Sequence, residues 1–162
     1  MSSPERRYWD SNCFVAWIKG EKGRVGPCEE IIQSAYRGDL LIVTSAITVA
    51  EVVRPKQKGT QEMTEAEDAR IVTFFRSSFL RFVDFNQTMG QATRQLQWRY
   101  NLSVRDAIHV ASAIAVGAPV IESYDSDLLG LDRSKIPGCP EIRQPKPRPQ
   151  ATIFQVIERD GD

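Results

Sequence analysis

The stretch SVRDAIHVASAIAVGAPVIESYDSDLL, residues 103–129, is the part of the sequence that decides the fold. Its first half, residues 103–116, is typical of an amphipathic helix and begins with the capping-box pattern Ser103-x-x-Asp106. The β-branched run at 120–123 follows a breaker pair and predicts a short buried strand. A helix that leads directly into a buried strand is typical of a parallel α/β sheet.

Strand-like and helix-like segments also alternate along the rest of the chain as far as residue 136. Further strands are predicted at 8–9, 40–44 and 79–85, and further helices at 29–37, 45–53, 64–76 and 87–100. Together with the first stretch, these segments predict an α/β fold with a small parallel sheet of four strands and helices on both of its faces. We therefore expect residues 1–136 to form one folded domain.

The remaining residues, 137–162, differ from this domain in composition. The segment PGCPEIRQPKPRPQ, residues 137–150, contains five prolines among scattered cations, which favours an extended surface tail over a packed element. The final ATIFQVIERD is compatible with an edge strand and with a partner-binding segment. The sequence leaves both alternatives open.

Composition excludes several classes of protein. The 162 residues include 21 basic and 21 acidic side chains, so no net charge attracts a polyanion and any nucleic-acid binding must come from local patches. No segment approaches the length needed to span a bilayer and none has the pattern of a cleavable leader, which predicts a cytoplasmic protein. The odd number of cysteines, Cys13, Cys28 and Cys139, indicates neither a disulfide framework nor a zinc site.

Four acidic residues are expected at one edge of the predicted sheet. Asp10 directly follows the first strand and Asp125 directly follows the last one. Glu51 lies in the first turns of the helix after the strand LLIVT, and Asp106 lies in the first turn of the helix that precedes the last strand. In a parallel α/β sheet all four positions are at the carboxyl ends of the strands, which is where such sheets bind ligands.

A group of carboxylates at this edge predicts a metal site. Carboxylates held close together repel one another unless a cation lies among them. An all-oxygen cluster suits Mg²⁺ or Mn²⁺, and such an ion can bridge to a phosphate and activate a water molecule. The predicted chemistry is hydrolysis of a phosphodiester bond.

Each acid also has a structural alternative. Asp106 lies three residues after Ser103, and Glu51 lies three residues after Thr48, so both fit capping boxes. Asp125 and Asp127 are also compatible with turn formers or with caps of a short helix that follows them, and Asp127 is a candidate additional metal ligand. Asp10 is the hardest to explain structurally, because it interrupts an otherwise apolar segment and buried carboxylates are rare without a partner.

Two further features near the acids have open interpretations. His109 is the only histidine, one turn beyond Asp106, and is either a general base or metal ligand or a residue on the polar flank of its helix. The cations Arg54, Lys56 and Lys58 follow the Glu51 helix, where they would grip RNA phosphates or simply belong to a solvated polar loop.

Four segments together resemble the PIN-domain ribonucleases found as VapC-type toxins of toxin–antitoxin pairs. They are YWDSN at 8–12, SAITVAEVV at 45–53, LSVRDAIHVASAIAVGA at 102–118 and VIESYDSDLL at 120–129. The resemblance covers roughly residues 7–132, in the order and spacing of the family. The proline-rich tail lies outside the family pattern.

The resemblance implies a three-layer α/β/α sandwich, a homodimer, Mg²⁺ or Mn²⁺ as cofactor, cleavage of single-stranded RNA, and a cognate antitoxin that occupies a groove near the acids. The residues that match the acidic quartet of the family are Asp10, Glu51, Asp106 and Asp125, and those that match its supporting positions are Asn12, Ser123 and, less regularly, Asp127. Two alternatives stay open: a non-catalytic PIN-like module that binds RNA or protein, and a DNA nuclease with the same chemistry.

Overall fold

A five-stranded parallel sheet forms the centre of the molecule in a computed structural model that describes residues 3–53, 58–59 and 61–149. The strands lie in the order β3-β2-β1-β4-β5, and every neighbouring pair is parallel. They are β1 Glu5–Trp9, β2 Leu40–Ser45, β3 Leu80–Val83, β4 Val120–Glu122 and β5 Glu141–Arg143. The parallel α/β sheet expected from the sequence is confirmed, with one strand more than predicted.

Seven α-helices pack around this sheet in the described part of the chain. They are α1 Ser11–Ile18, α2 Val25–Tyr36, α3 Ile47–Glu51, α4 Glu65–Phe75, α5 Gln87–Tyr100, α6 Val104–Ala115 and α7 Ser126–Leu129, followed by a 3₁₀ turn at Arg133–Lys135. Among the described residues, no helix has both the length and the apolar character needed to cross a membrane.

The helices cover both faces of the sheet and produce a three-layer α/β/α sandwich. Successive side chains of a strand point to opposite faces, so Trp9 packs against α1, α2 and α4, while Tyr8 packs against α5 and α6. Phe14, Phe74 and Phe75 fill the first of these two cores with aromatic rings. Because both faces are covered, β2 is an almost continuous buried run, which is the pattern by which the sequence analysis predicted it.

Short polar residues determine where several helices begin. Thr64 and Glu67 form the predicted capping box of α4, in which each side chain binds the backbone N–H of the other residue. The Ser103 hydroxyl caps α6 by accepting from the backbone N–H of Asp106. Asp10 caps α1 in the same way, through the backbone N–H of Cys13.

Three helices differ from the sequence-based expectation. The apolar residues after Asp10 form α1, which was not predicted because four buried positions in only eight residues give no clear helical period. The predicted helices 29–37 and 45–53 have different bounds, since α2 begins at Val25 and α3 is limited to Ile47–Glu51.

The prediction that the segment after residue 137 is unpacked is wrong for β5. Residues Glu141–Arg143 pair with β4 in the register Val120↔Glu141. The backbone N–H of Ser123 donates to the carbonyl of Arg143 at 2.9 Å, which extends the ladder to the residue after β4. Part of the proline-rich segment therefore belongs to the sheet, and the terminal ATIFQVIERD lies outside the described residues.

Candidate metal centre

Three aspartates meet at the carboxyl edge of the sheet. Asp106, Asp125 and Asp127 each offer a carboxylate oxygen, and these oxygens all lie within 4.8 Å of one another. Asp106 comes from the first turn of α6, whereas Asp125 and Asp127 come from the loop and short helix that follow β4. The convergence of these three acids agrees with the arrangement expected from the chain direction of a parallel sheet.

The charge of this cluster is only partly compensated by the described chain, because the positive charge of Arg105 acts on Asp106 without an ion pair between them. No lysine or arginine among the described residues forms an ion pair with any of the three carboxylates. Burial raises the pKa of Asp106, and the nearby carboxylates of Asp125 and Asp127 raise it further, whereas the Ser103 hydrogen bond and the charge of Arg105 act in the opposite direction. Three oxygen donors with incompletely neutralised charge suit a hard divalent cation such as Mg²⁺ or Mn²⁺.

The carboxylate of Asp125 has several hydrogen-bond partners besides its place in the cluster. Oδ1 accepts from the backbone N–H groups of Asp127 at 2.8 Å and Leu128 at 3.4 Å, so Asp125 caps α7. Oδ2 accepts from the amide nitrogen of Asn12 at 3.3 Å. The cap and the cluster therefore occur together, because the bonds that start the helix also fix the orientation of the carboxylate.

Asp10 lies behind the cluster, where it orders the loop that carries Asp125. Its side chain is 1% exposed, and its Oδ2 accepts from the Ser123 hydroxyl at 2.5 Å. The same Ser123 oxygen accepts from the backbone N–H of Asp125 at 2.9 Å. Burial raises the pKa of Asp10, although the Ser123 hydrogen bond and the charge of His109 act in the opposite direction. Asp10 is not one of the three acids within 4.8 Å, so its role as a metal ligand stays a prediction.

Glu51 has different partners from the clustered acids. It is the last residue of α3, which begins after Ala46, so Thr48 is not the cap that a capping box with Glu51 requires. Its Oε1 pairs with Arg105 Nε at 3.0 Å, and its Oε2 pairs with His109 Nε2 at 3.0 Å. Burial acts to raise the pKa of Glu51, but the hydrogen bond and charge of His109, together with Arg105, outweigh it and lower the pKa.

Two residues connect these acids: Arg105, which the sequence analysis did not assign to the site, and His109, whose role it left open. Arg105 Nη2 donates to Ser11 Oγ at 2.6 Å and to Asn12 Oδ1 at 2.9 Å, so Asn12 bridges Arg105 and Asp125. His109 is 1% exposed, and its Nδ1 lies 2.9 Å from the hydroxyl of Tyr8. The interpretation of His109 as a residue on a polar helix flank is therefore wrong.

A signal for this connection was present in the sequence. Arg105 and His109 are four residues apart, so on a helix they lie on the same side, next to Asp106.

Of the loop cations that were predicted to bind RNA, Lys58 is exposed, whereas Arg54 and Lys56 lie outside the described residues.

The fold and the site together define a three-layer α/β protein whose acids gather at the carboxyl edge of its sheet. A family model described as the PIN domain matches residues 7–133 of this chain. The chain belongs to the PIN-domain family. No curated protein matches the chain as a relative.

Solved structures with the same fold include proteins of toxin–antitoxin systems. VapBC2 of Rickettsia felis, bound to a DNA fragment from its promoter, is 17% identical, with a TM-score of 0.59 over 85% of this chain and 98% of that chain. VapC20 of Mycobacterium tuberculosis, a toxin that cleaves the sarcin-ricin loop, is 15% identical, with a TM-score of 0.58 over 75% and 91%. A toxin–antitoxin complex of Klebsiella pneumoniae is 19% identical, with a TM-score of 0.56 over 88% and 99%. At these identities the similarity establishes the fold.

Proposed function

We propose that this protein is a metal-dependent endoribonuclease and the toxin of a toxin–antitoxin pair. The observation that carries the proposal is the cluster of Asp106, Asp125 and Asp127, whose carboxylates form no ion pair with a lysine or arginine among the described residues. Membership of the PIN-domain family and the structural similarity to VapC toxins support the same function. A cluster of this kind costs stability, so its presence favours a functional over a structural explanation.

Asp106, Asp125 and Asp127 would hold the cation, with Asp10 and Glu51 as further predicted ligands. When it is bound, Mg²⁺ or Mn²⁺ supplies a Lewis acid for a phosphoryl oxygen and lowers the pKa of a water molecule. The other residues of the site orient the carboxylates. Ser123 and Asn12 hold the carboxylates of Asp10 and Asp125 through the hydrogen bonds described above.

Cations at the rim of the site support RNA as the substrate. Arg24 is exposed, and its guanidinium carbon lies 5.0 Å from the centre of the Tyr124 ring. Tyr124 directly precedes Asp125 in the chain. Arg105 is 43% exposed and adjoins Asp106. Such side chains can bind phosphates in a salt-dependent manner. Because the protein has zero net charge, its RNA binding must come from local cations of this kind. The predicted phosphate contacts Arg54, Lys56 and Lys58 would add to them.

We also propose an antitoxin partner, a homodimer and a cytoplasmic location. A groove of about 540 Å³ between α1, α2 and α4 supports the antitoxin, because its apolar wall suits one face of an amphipathic helix. Its apolar lining includes Val15, Ile18, Val25, Val52, Ile71 and Phe74. The homodimer and the location follow from the family resemblance and stay predictions.

The test is cleavage of total RNA by the purified protein in Mn²⁺ or Mg²⁺, with an EDTA control. We expect discrete fragments from the wild type and a loss of at least about 1000-fold in Asp106→Asn, which corresponds to about 4 kcal/mol of transition-state stabilisation. The matched control is Asp39→Asn, the same change at an exposed position directly before β2, at the opposite edge of the sheet. It should cleave like the wild type.

Other outcomes would contradict the proposal in distinct ways. Folded wild-type protein that shows no calorimetric affinity for Mg²⁺ or Mn²⁺ and leaves RNA intact would favour a non-catalytic module. Cleavage of single-stranded DNA in preference to RNA would identify a DNA nuclease. An Asp106→Asn variant with full metal-dependent activity would remove Asp106 from the metal site.

A further inference from the structure

We infer that His109 is a positioning residue, which holds the Glu51 carboxylate in place beside the acid cluster through its Nε2 atom while Tyr8 fixes the ring. The inference rests on the proposed nuclease function. Its evidence is a chain of contacts that runs from the core to the site. The Tyr8 hydroxyl lies 2.9 Å from His109 Nδ1, and His109 Nε2 lies 3.0 Å from Glu51 Oε2.

The partners of the two ring nitrogens determine where the proton lies. An ionised carboxylate only accepts hydrogen bonds, so His109 Nε2 must carry the hydrogen that Glu51 receives. When the ring is neutral, Nδ1 is the acceptor and the Tyr8 hydroxyl donates to it. Burial raises the pKa of Tyr8, so its hydroxyl keeps the proton that this arrangement needs.

One helix, α6, carries both an acid of the cluster and the two residues that bind Glu51. Arg105, Asp106 and His109 all belong to the first two turns of α6. Asp106 points into the cluster, whereas Arg105 and His109 each bind one oxygen of Glu51. Since α3 ends at Glu51, these two contacts determine where the carboxylate lies relative to Asp106.

The contact with His109 is the more protected of the two. Arg105 is 43% exposed, and an ion pair in contact with water contributes little. His109 is 1% exposed and Tyr8 is 0% exposed, so water does not compete for the bond between them, and it reaches the His109–Glu51 bond only from the Glu51 side, which is 20% exposed. We therefore assign the position of Glu51 mainly to His109.

A purely structural role, in which His109 only fills the core, makes different predictions for two variants. The amide nitrogen of a glutamine reaches roughly the position of Nε2, whereas the amide of an asparagine reaches only that of Nδ1. His109→Gln therefore keeps the donor to Glu51, and His109→Asn loses it. The positioning role predicts that the two variants differ in activity, with Asn the impaired one.

The kinetic experiment measures kcat and KM for RNA cleavage at saturating Mn²⁺, with the Mn²⁺ dissociation constant from calorimetry. His109→Asn should lower kcat about 10- to 100-fold, the range for residues that orient the groups of a metal site, with an unchanged KM. His109→Gln should stay within about threefold of the wild type. Equal losses in both variants, or no loss in either, would overturn the inference. An inactive wild type would instead reject the nuclease function.

A second measurement does not depend on activity. His109 is the only histidine, so imidazole ¹⁵N NMR of the metal-free protein reports on this ring alone. We expect the Nε2–H tautomer in the wild type and a changed ring spectrum in Glu51→Ala and in Tyr8→Phe. An Nδ1–H tautomer would overturn the inference, because Nε2 would then be an acceptor that faces a carboxylate. A ring spectrum that is unchanged in Glu51→Ala would overturn it as well.

Discussion

Glu122 and the acid cluster around Asp125 lie within a few residues of each other at the end of β4, and the chain provides different partners for their carboxylates. Glu122 is 0% exposed, and its carboxylate binds Arg7 Nη1 at 3.1 Å, Arg143 Nη2 at 3.2 Å and Trp9 Nε1 at 2.9 Å. The cluster around Asp125 has no such cation from the described residues.

The difference shows what each group is for. Glu122 joins β1, β4 and β5, and it also accepts from the backbone N–H of Lys146 at 3.3 Å, so its charge serves the fold. The chain is therefore able to provide arginines for a buried carboxylate. Among the described residues it forms no ion pair with Asp106 or Asp125, and Arg105, which adjoins Asp106, pairs with Glu51 instead, which favours a counter-ion from solution for the cluster.

The largest effect on stability is expected at Glu122. Glu122→Gln should lower the free energy of unfolding by about 3 kcal/mol, because it removes the buried anion that Arg7 and Arg143 share and leaves Arg7 only Glu5 and Arg143 only Glu141. Urea denaturation measures this loss. The control is Glu141→Gln, the same change at a half-exposed partner of Arg143, which should stay within about 0.5 kcal/mol of the wild type. Equal effects in both variants would mean that the Glu122 network contributes no more than a surface ion pair.

A bound metal should stabilise the acid cluster by a smaller amount. At a free Mn²⁺ concentration 100 times the dissociation constant, the wild type should gain about 2.7 kcal/mol, provided that the ion binds only the folded protein. Thermal unfolding with Mn²⁺ and with EDTA measures the gain. Asp106→Asn should lose most of it, whereas Asp39→Asn should keep it. A gain of the same size in Asp106→Asn would place the ion elsewhere.

The place of the acids at one edge of the sheet could be predicted from the sequence and the Glu122 network could not, for a physical reason. The carboxyl edge of a parallel sheet follows from the order of strands and helices, so residues that directly follow a strand, such as Asp10 and Asp125, can be placed without side-chain coordinates. Glu122 is the last residue of β4, but its partners Arg7 and Arg143 are 136 positions apart in the sequence. The contact of Glu122 with Arg143 depends on β5, and no strand was predicted there because the segment is rich in proline.

Glu51 shows a second limit of sequence-based reasoning. Its place at the edge of the sheet followed from the strand before it, but its partners depend on where α3 ends and on the direction of its side chain. Those are tertiary features, which depend on the contacts that Glu51 makes with Arg105 and His109 of α6. The same limit applies to His109, because its burial depends on tertiary contacts with Tyr8 and Glu51.

The smallest expected effect is one whose sign matters more than its size. Because the pKa of Asp106 is raised in the folded state, the folded protein holds this proton more tightly than the unfolded chain does. Its contribution to the free energy of unfolding therefore falls as pH rises from the ordinary aspartate pKa of about 4 through the raised value. Asp106→Asn removes that loss, so in EDTA at pH 7 it should be slightly more stable than the wild type.

Below pH 4 the advantage of Asp106→Asn should disappear, because the wild-type carboxyl is then protonated in both states. Urea titrations in EDTA at pH 7 and pH 3.5 measure both differences, and Glu122→Gln at pH 7 gives the opposite sign for comparison. An Asp106→Asn variant that is less stable than the wild type at pH 7 would show that the fold already compensates this carboxylate. The distinction between the two groups would then fail, since Asp106 would be held by the protein in the way that Glu122 is.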